Sequence, residues 1–357
     1  MNPNERELVY PWNDEIPATG TWLTLRPGLH WVRMPLPFAL DHINLWVLDD
    51  ELDGQAGWTI VDAGIASDAT RDAWERIFDE RFEARPLLRQ ICTHFHPDHL
   101  GLADWLTRGG ERARWSVRLW MTATEYSFGR FMSVGDDASG QSAARHFHRN
   151  GLADETALAQ VRARSGYYPR LVPAVPASFR RLQDGDEVAI GTTHHKRVFR
   201  IIVGHGHAPE HASLYCESDR LLIAGDMVLP RISTNVSVFD LEPEANPLPR
   251  YLHSLDRLLL LPEDTLVLPS HGKPFTGLHR RIAQQHAHHR DRLADVLAAC
   301  ATPQTAASIV PVLFKRELDL HQTTFALGEA LAHLHALWYE GAVVRHDDDG
   351  VWTFRRA

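Results

Sequence analysis

A chain of 357 residues has room for two domains and a sizeable core, and its 44% hydrophobic and 23% charged content is ordinary for a globular protein. The formal net charge of -9 argues against broad attraction to nucleic acid or anionic membrane, and no apolar run approaches the length of a membrane span. Cys92, Cys216 and Cys300 are too few and too scattered for a disulfide framework or a cysteine-rich zinc site, and read as buried thiols.

Met1-Asn2-Pro3-Asn4-Glu5-Arg6-Glu7 lacks a basic start followed by an apolar core, so no signal peptide is expected and the chain reads as cytoplasmic. Short apolar segments broken by Pro27, Pro35 and Pro37 lead into Ile43-Asn44-Leu45-Trp46-Val47-Leu48, which reads as a strand. Trp58-Thr59-Ile60-Val61 is another, ending at Asp62-Ala63-Gly64, where Asp62 suits a turn before a helix cap. Residues 68–81 place Ala69, Ala73, Ile77 and Phe78 on one side and charges on the other, as a helix covering a sheet does.

Leu87-Leu88 and Ile91-Cys92 read as a short buried strand, followed at once by Thr93-His94-Phe95-His96-Pro97-Asp98-His99-Leu100-Gly101. In extended chain His94 and His96 point to the same side and can grip one ion. Pro97 then starts a helix-like stretch through Leu106, so Asp98 and His99 sit on a turn at a helix N-terminus, facing a second ion more naturally than the first. A lone histidine is usually a surface or satisfied core residue. Three imidazoles and a carboxylate this close need a cation to offset their crowding.

The spacing His94-x-His96-x-Asp98-His99 resembles the signature of the metallo-β-lactamase superfamily. Gly206-His207-Ala208-Pro209-Glu210-His211 is similar to that family's Gly-His-Thr-Pro-Gly-His loop, which puts a further ligand at His211. Ala224-Gly225-Asp226 resembles its bridging aspartate and Pro269-Ser270-His271-Gly272 its last histidine, in the family's order. Asp62-Ala63-Gly64 resembles its Asp-Thr-Gly block, whose aspartate steadies a metal-binding histidine from behind. The resemblance implies an α/β fold, a four-layer αββα sandwich holding its metals between two sheets.

After the signature helix, residues 115–121 read as a strand. Residues 122–181 then break the alternation: 126–132 and 154–164 look helical, joined through the small, polar stretch 135–140. We read this as a helical insertion, whose Tyr126, Phe128, Phe131, Arg145, His146, His148, Tyr167 and Tyr168 serve mostly as its own core and otherwise as a lid. Leu182 to Val188 turns into the second half of the sandwich, and 198–203 leads to the histidine loop. Arg231, shortly after Asp226, could hold an anionic substrate or lie on the surface.

Residues 278–299 read as one long polar-faced helix, with His286, His288 and His289 facing solvent. Helical segments at 305–312, 313–318 and 325–339 and a hairpin with the turn His346-Asp347-Asp348-Asp349-Gly350 suggest a winged helix. A C-terminal domain of that kind resembles the lactamase-β-2-like branch. The expected division is a catalytic domain over 1–280 and a linker helix with a small winged-helix-like domain over 281–357.

On this resemblance His94, His96 and His211 hold one divalent ion and Asp98, His99 and His271 the other, with Asp226 bridging. The ligands suit zinc first, with iron or manganese as alternatives. A hydroxide between the ions is the expected nucleophile, and Asp98 orients it and shuttles its proton, so no Ser or Cys nucleophile is required. Fold and metal do not choose the substrate. A thiolate leaves without protonation, which favours a small acyl thioester or related ester. A single-strand endoribonuclease of lactamase-β-2-like type and a lactonase are the alternatives. The acidic wing disfavours nucleic acid as a partner and leaves homodimerisation or support of a lid as the tail's role.

Overall fold

The computed structural model describes residues 3–135, 137–164 and 166–357. Strands β1 (Trp22–Arg26), β2 (Leu29–Pro35), β3 (His42–Leu52) and β4 (Gln55–Val61) form an antiparallel meander. Helix α1 (Asp68–Arg81), opened by Ser67, whose hydroxyl accepts the Thr70 N–H, crosses over to β5 (Leu87–Ile91), parallel to β4. Helices α2 (Pro97–Leu100) and α3 (Ala103–Thr107) lead to β6 (Leu119–Met121). Then α4 (Ala123–Val134), α5 (Asp137–Arg149), α6 (Glu155–Arg162) and α7 (Tyr167–Leu171) precede β7 (Phe179–Arg181), the edge of a seven-stranded sheet. Asp136, in the stretch expected to join the insertion's helices, lies outside the described residues.

The second sheet has β8 (Glu187–Thr192), β9 (His195–Gly204), β10 (His211–Cys216), β11 (Leu221–Gly225) and β12 (Leu266–Pro269) in the order β12-β11-β10-β9-β8, with α8 (Pro247–Leu258) as the crossover into β12. Helix α9 (Leu278–Ala299) leads to α10 (Ala306–Leu313), α11 (Leu320–Tyr339) and the hairpin of β13 (Val343–Asp348) and β14 (Val351–Arg356).

Strand β3 shows why the sheets stack. Leu45 and Val47 pack under α1 with Trp74, Ile77 and Phe78, while Trp46 and Leu48 meet Phe199, Ile201, Leu214 and Ile223 of the other sheet. Both faces are covered, so the run is apolar throughout rather than alternating. Beyond the second sheet, Leu222 and Ala224 pack with Leu248, Tyr251 and Leu255 of α8 and Leu327 and Leu331 of α11. The layers are therefore helix, sheet, sheet, helix, the fold the signature implied.

Three expectations are corrected. Only 119–121 of the stretch 115–121 is strand, since the backbone before it belongs to a loop pinned by the Val117 N–H on the Thr107 carbonyl. Residues 314–319 are not helical: α10 ends at Leu313, and Asp319 starts α11 with a capping box shared with Gln322. His289 does not face solvent but is fully buried, because α9 is covered by α8 and α11 where a free linker helix would be wet.

Candidate metal centre

The candidate residues gather where the strands of both sheets end, the edge at which open α/β sheets place their sites. His94 and His96 lie in the loop beyond β5 rather than within the strand, yet His94 Nε2 is 2.9 Å from His96 Nδ1. Asp98 and His99 ride on α2, with Pro97 in its first turn. Asp226 follows β11 and His271 follows β12. Gly225, at φ +53°, has no room for a side chain, since a Cβ there would stand 2.3 Å from His211 Nε2.

Two groups of side chains converge: His94, His96, His207 and Asp226, and beside them Asp98, His99 and His271. His207 Nε2 is 3.2 Å from His94 Nε2 and 3.3 Å from Asp226 Oδ2. His271 Nε2 is 3.3 Å from Asp98 Oδ2 and 3.5 Å from Asp226 Oδ1. With Asp226 Oδ2 also 3.5 Å from His99 Nε2, this carboxylate stands between the groups.

His211, expected as a ligand, is not in either group; His207 takes the place. His211 is the first residue of β10 and pairs with Gly204, so the ladder holds its ring beneath the end of β11, where Nε2 accepts the Asp226 N–H at 3.1 Å. His207 sits in the free loop before it and can turn inward. Arg231 is not there either. Met227, Val228 and Leu229 turn into the core and Arg281 donates to the Leu229 and Ile232 carbonyls, which leaves Arg231 72% exposed with Nε 3.9 Å from Glu5.

Three of the inward rings are held from behind. Asp62, at φ +65°, accepts from His99 Nδ1 at 2.8 Å and from the Thr93 N–H at 2.8 Å. His207 Nδ1 donates to the Asn235 carbonyl at 2.7 Å and His271 Nδ1 to the His42 carbonyl at 2.8 Å. A carbonyl only accepts, so Nδ1 carries the proton and Nε2 turns inward. Asn44 fixes the His271 loop, its side-chain amide donating to the Pro269 and Gly272 carbonyls.

The electrostatics divide the site. Burial pushes His94 well down and His96 down to about 3, and the neighbouring imidazoles add to it. Burial acts the same way on His99 and His271, but Asp62, Asp98 and Asp226 outweigh it for His99, raising it well above its usual value, and Asp226 and Asp98 raise His271 to about 10. Burial raises Asp98 and Asp226, yet His99 and His271 bring Asp98 down to about 2 and hold Asp226 well below the carboxylate range. Both carboxylates are therefore ionised.

This arrangement fits divalent cations. Imidazole nitrogens and carboxylate oxygens are their ordinary ligands, and His99 Nε2 and Asp226 Oδ1 are buried at the centre without a hydrogen-bond partner. Around the site, the His321 ring of α11 stacks on Phe38 with centroids 5.4 Å apart and meets Tyr167 of α7 at 5.8 Å. Tyr167 is pushed up by burial first, with the Asp98 charge contributing, so this aromatic group stands near the second cluster.

Sequence reasoning missed Glu125, Asn235 and His42. Asn235 and His42 act through backbone carbonyls, for which no residue type is a signal. Glu125 had one: Glu210 stands where the family loop has glycine, and the two glutamates interact. Glu125 Oε1 accepts the Glu210 N–H at 2.6 Å and Glu210 Oε2 the Thr124 N–H at 3.0 Å. Burial, with the Glu210 charge, pushes Glu125 up, against the pull of its two N–H donors, which favour the ionised carboxylate.

A family model described as metallo-beta-lactamase superfamily matches residues 40–271, and one described as metallo-beta-lactamase-like, C-terminal domain, matches 293–357. A crystal structure of a beta-lactamase domain protein from Burkholderia ambifaria is 57% identical, covers 100% of both chains and superposes with a TM-score of 0.94. A metallo-beta-lactamase family protein from Thermus thermophilus is 30% identical over 94% of this chain and 100% of its own, with a TM-score of 0.76. The Bacillus subtilis protein named "Probable metallo-hydrolase YqjP" is 24% identical over 339 residues, 91% of this chain and 96% of that one. The superfamily match and the likeness to a named metallo-hydrolase make this chain a metal-dependent hydrolase. The chain belongs to the metallo-β-lactamase superfamily. No helix among the described residues is long and apolar enough to cross a membrane.

Proposed function

We propose that the chain is a dinuclear hydrolase of a small acyl thioester or related ester. The observation that carries this is the pair of adjoining donor groups with the Asp226 carboxylate between them. In this reading His94, His96, His207 and Asp226 hold one cation and Asp98, His99, His271 and Asp226 the other. Zinc is the first candidate for both. Such ions supply Lewis acidity and lower the pKa of water at the site.

The chain's own residues do the rest. Asp62, Asn235 and His42 hold the rings of His99, His207 and His271 in place, which spares reorganisation during the reaction. Asp98, ionised and 19% exposed, is the carboxylate able to orient an attacking water and take its proton. A thiolate departs unprotonated, so the gathered residues need supply no general acid. The tail we read as a winged-helix-like domain beginning after residue 280. The tip of its hairpin, the end of β13 and the turn after it, carries the exposed Asp347, Asp348 and Asp349, which suits support of the catalytic domain better than phosphate binding.

The test is a single panel of acyl thioesters, lactones and single-stranded RNA, offered to metal-loaded protein and to a His96→Ala control. Thioester or ester turnover that the control lacks is expected. RNA cleavage with no thioester turnover would promote the endoribonuclease reading, and lactone opening alone the lactonase.

A further inference from the structure

The helical insertion approaches the two histidine loops through one buried carboxylate. Glu125 lies in the first turn of α4 with no exposed surface. Its Oε2 accepts the N–H of Phe95, the residue between His94 and His96, at 3.0 Å. Its Oε1 accepts the N–H of Glu210, in the loop that carries His207, at 2.6 Å. One side chain thus spans two segments more than a hundred positions apart.

The surroundings are built for this. Glu210 returns the contact: its carboxylate accepts the Thr124 N–H at 3.0 Å, and its carbonyl accepts the Thr122 hydroxyl at 2.8 Å. A carboxylate from another loop thereby caps α4, where the helix dipole favours it. Phe95 is gripped from both sides, since its carbonyl accepts from the Tyr168 hydroxyl of α7. One turn on from Glu125, Gly129 lets α4 settle on α2, because a Cβ there would stand 2.4 Å from Leu100. Replacing Glu125 by an apolar residue would leave the buried Phe95 N–H and the partly buried Glu210 N–H without this partner.

We propose that Glu125 is a positioning residue of the two-cation site, whose carboxylate sets the spacing between the His94–His96 loop and the His207 loop. This rests on the ligand assignment above. It predicts a selective effect: the cation held by His94, His96 and His207 depends on Glu125, whereas the one held by Asp98, His99 and His271 does not. Residues behind metal ligands typically change affinity by about 10- to 100-fold when removed.

The experiment titrates Co2+ into full-length, chelator-treated wild type, Glu125→Ala and Glu125→Gln, read by calorimetry and visible absorption. Circular dichroism and thermal melting of the metal-free proteins report the fold. We expect two equivalents bound by wild type. Glu125→Ala should weaken one equivalent by at least about 10-fold with the other nearly unchanged. Glu125→Gln should fall between them, because an amide oxygen accepts one N–H while its NH2 opposes the other. The isosteric Gln variant also decides the matter should the Ala variant fail to fold. Equal weakening of both equivalents, or unchanged affinity in a folded Gln or Ala variant, overturns the proposal while the two-cation reading stands. Absence of Co2+ binding by wild type takes down both.

Discussion

Around Asp226, histidines from three loops turn a ring nitrogen toward carboxylates, whereas between α9 and α11 buried histidines turn theirs toward each other and toward backbone. His289 Nδ1 is 3.3 Å from His333 Nε2, His333 Nδ1 donates to the Glu329 carbonyl at 2.8 Å, and His335 Nδ1 to the Ala245 carbonyl at 2.8 Å. Burial drives His289 down to about 3 and His333 and His335 to about 4. His99 and His271 are buried as deeply and are driven up, because Asp98 and Asp226 face both and Asp62 faces His99. Histidine density therefore does not make a cation site. Rings held from behind and converging on ionised carboxylates do.

The comparison breaks first at Asp226, where the largest effect is expected. Asp226→Ala should lower metal content and hydrolysis together, the latter by more than about 100-fold. Retention of both in a folded variant would show that the carboxylate is not shared. Next, His207→Ala should lose one metal equivalent, while His211→Ala keeps both and weakens binding by about 10-fold or less, since His211 only accepts the Asp226 N–H. Elemental analysis of the two variants side by side separates ligand from support, and the reverse pattern would restore the assignment made from sequence.

That pair also marks how far the sequence could be read. The density of ligand types at 94–99 identifies the chemistry, and apolar runs such as 43–48 identify buried strands. The choice between His207 and His211 depends on where β10 begins, a boundary set by pairing with β9. Arg231 looked available because the burial of Met227 and Val228 against α8 and α9 is tertiary. His289 looked wet because α9 has a polar composition, and α11 covers it all the same.

At the second region the effects should be on stability alone. His333→Leu leaves His289 Nδ1 without its buried partner and should cost about 1–3 kcal/mol in denaturant unfolding, with metal content unchanged. Loss of metal in that variant would show that His333 is needed for the cation site, although none of its printed hydrogen bonds reaches a ligand directly.

A pH-dependent effect concerns Glu329, 9% exposed on α11 and pushed by burial from an ordinary 4.5 to about 7. Between those values the folded chain keeps a proton that the unfolded chain has released. Its contribution is therefore fully present below pH 4.5 and is lost as pH rises toward 7, with a slope of about 1.4 kcal/mol per pH unit at most. Glu329→Gln should flatten that part of the stability profile, and an unaltered profile would show that the carboxyl titrates normally.

The most direct measurement is the metal content of the full-length protein purified without added metal. The two adjoining groups around Asp226 predict close to two equivalents of transition metal per chain, falling to about one in His207→Ala. No bound metal in the wild type, even after reconstitution, would contradict the account.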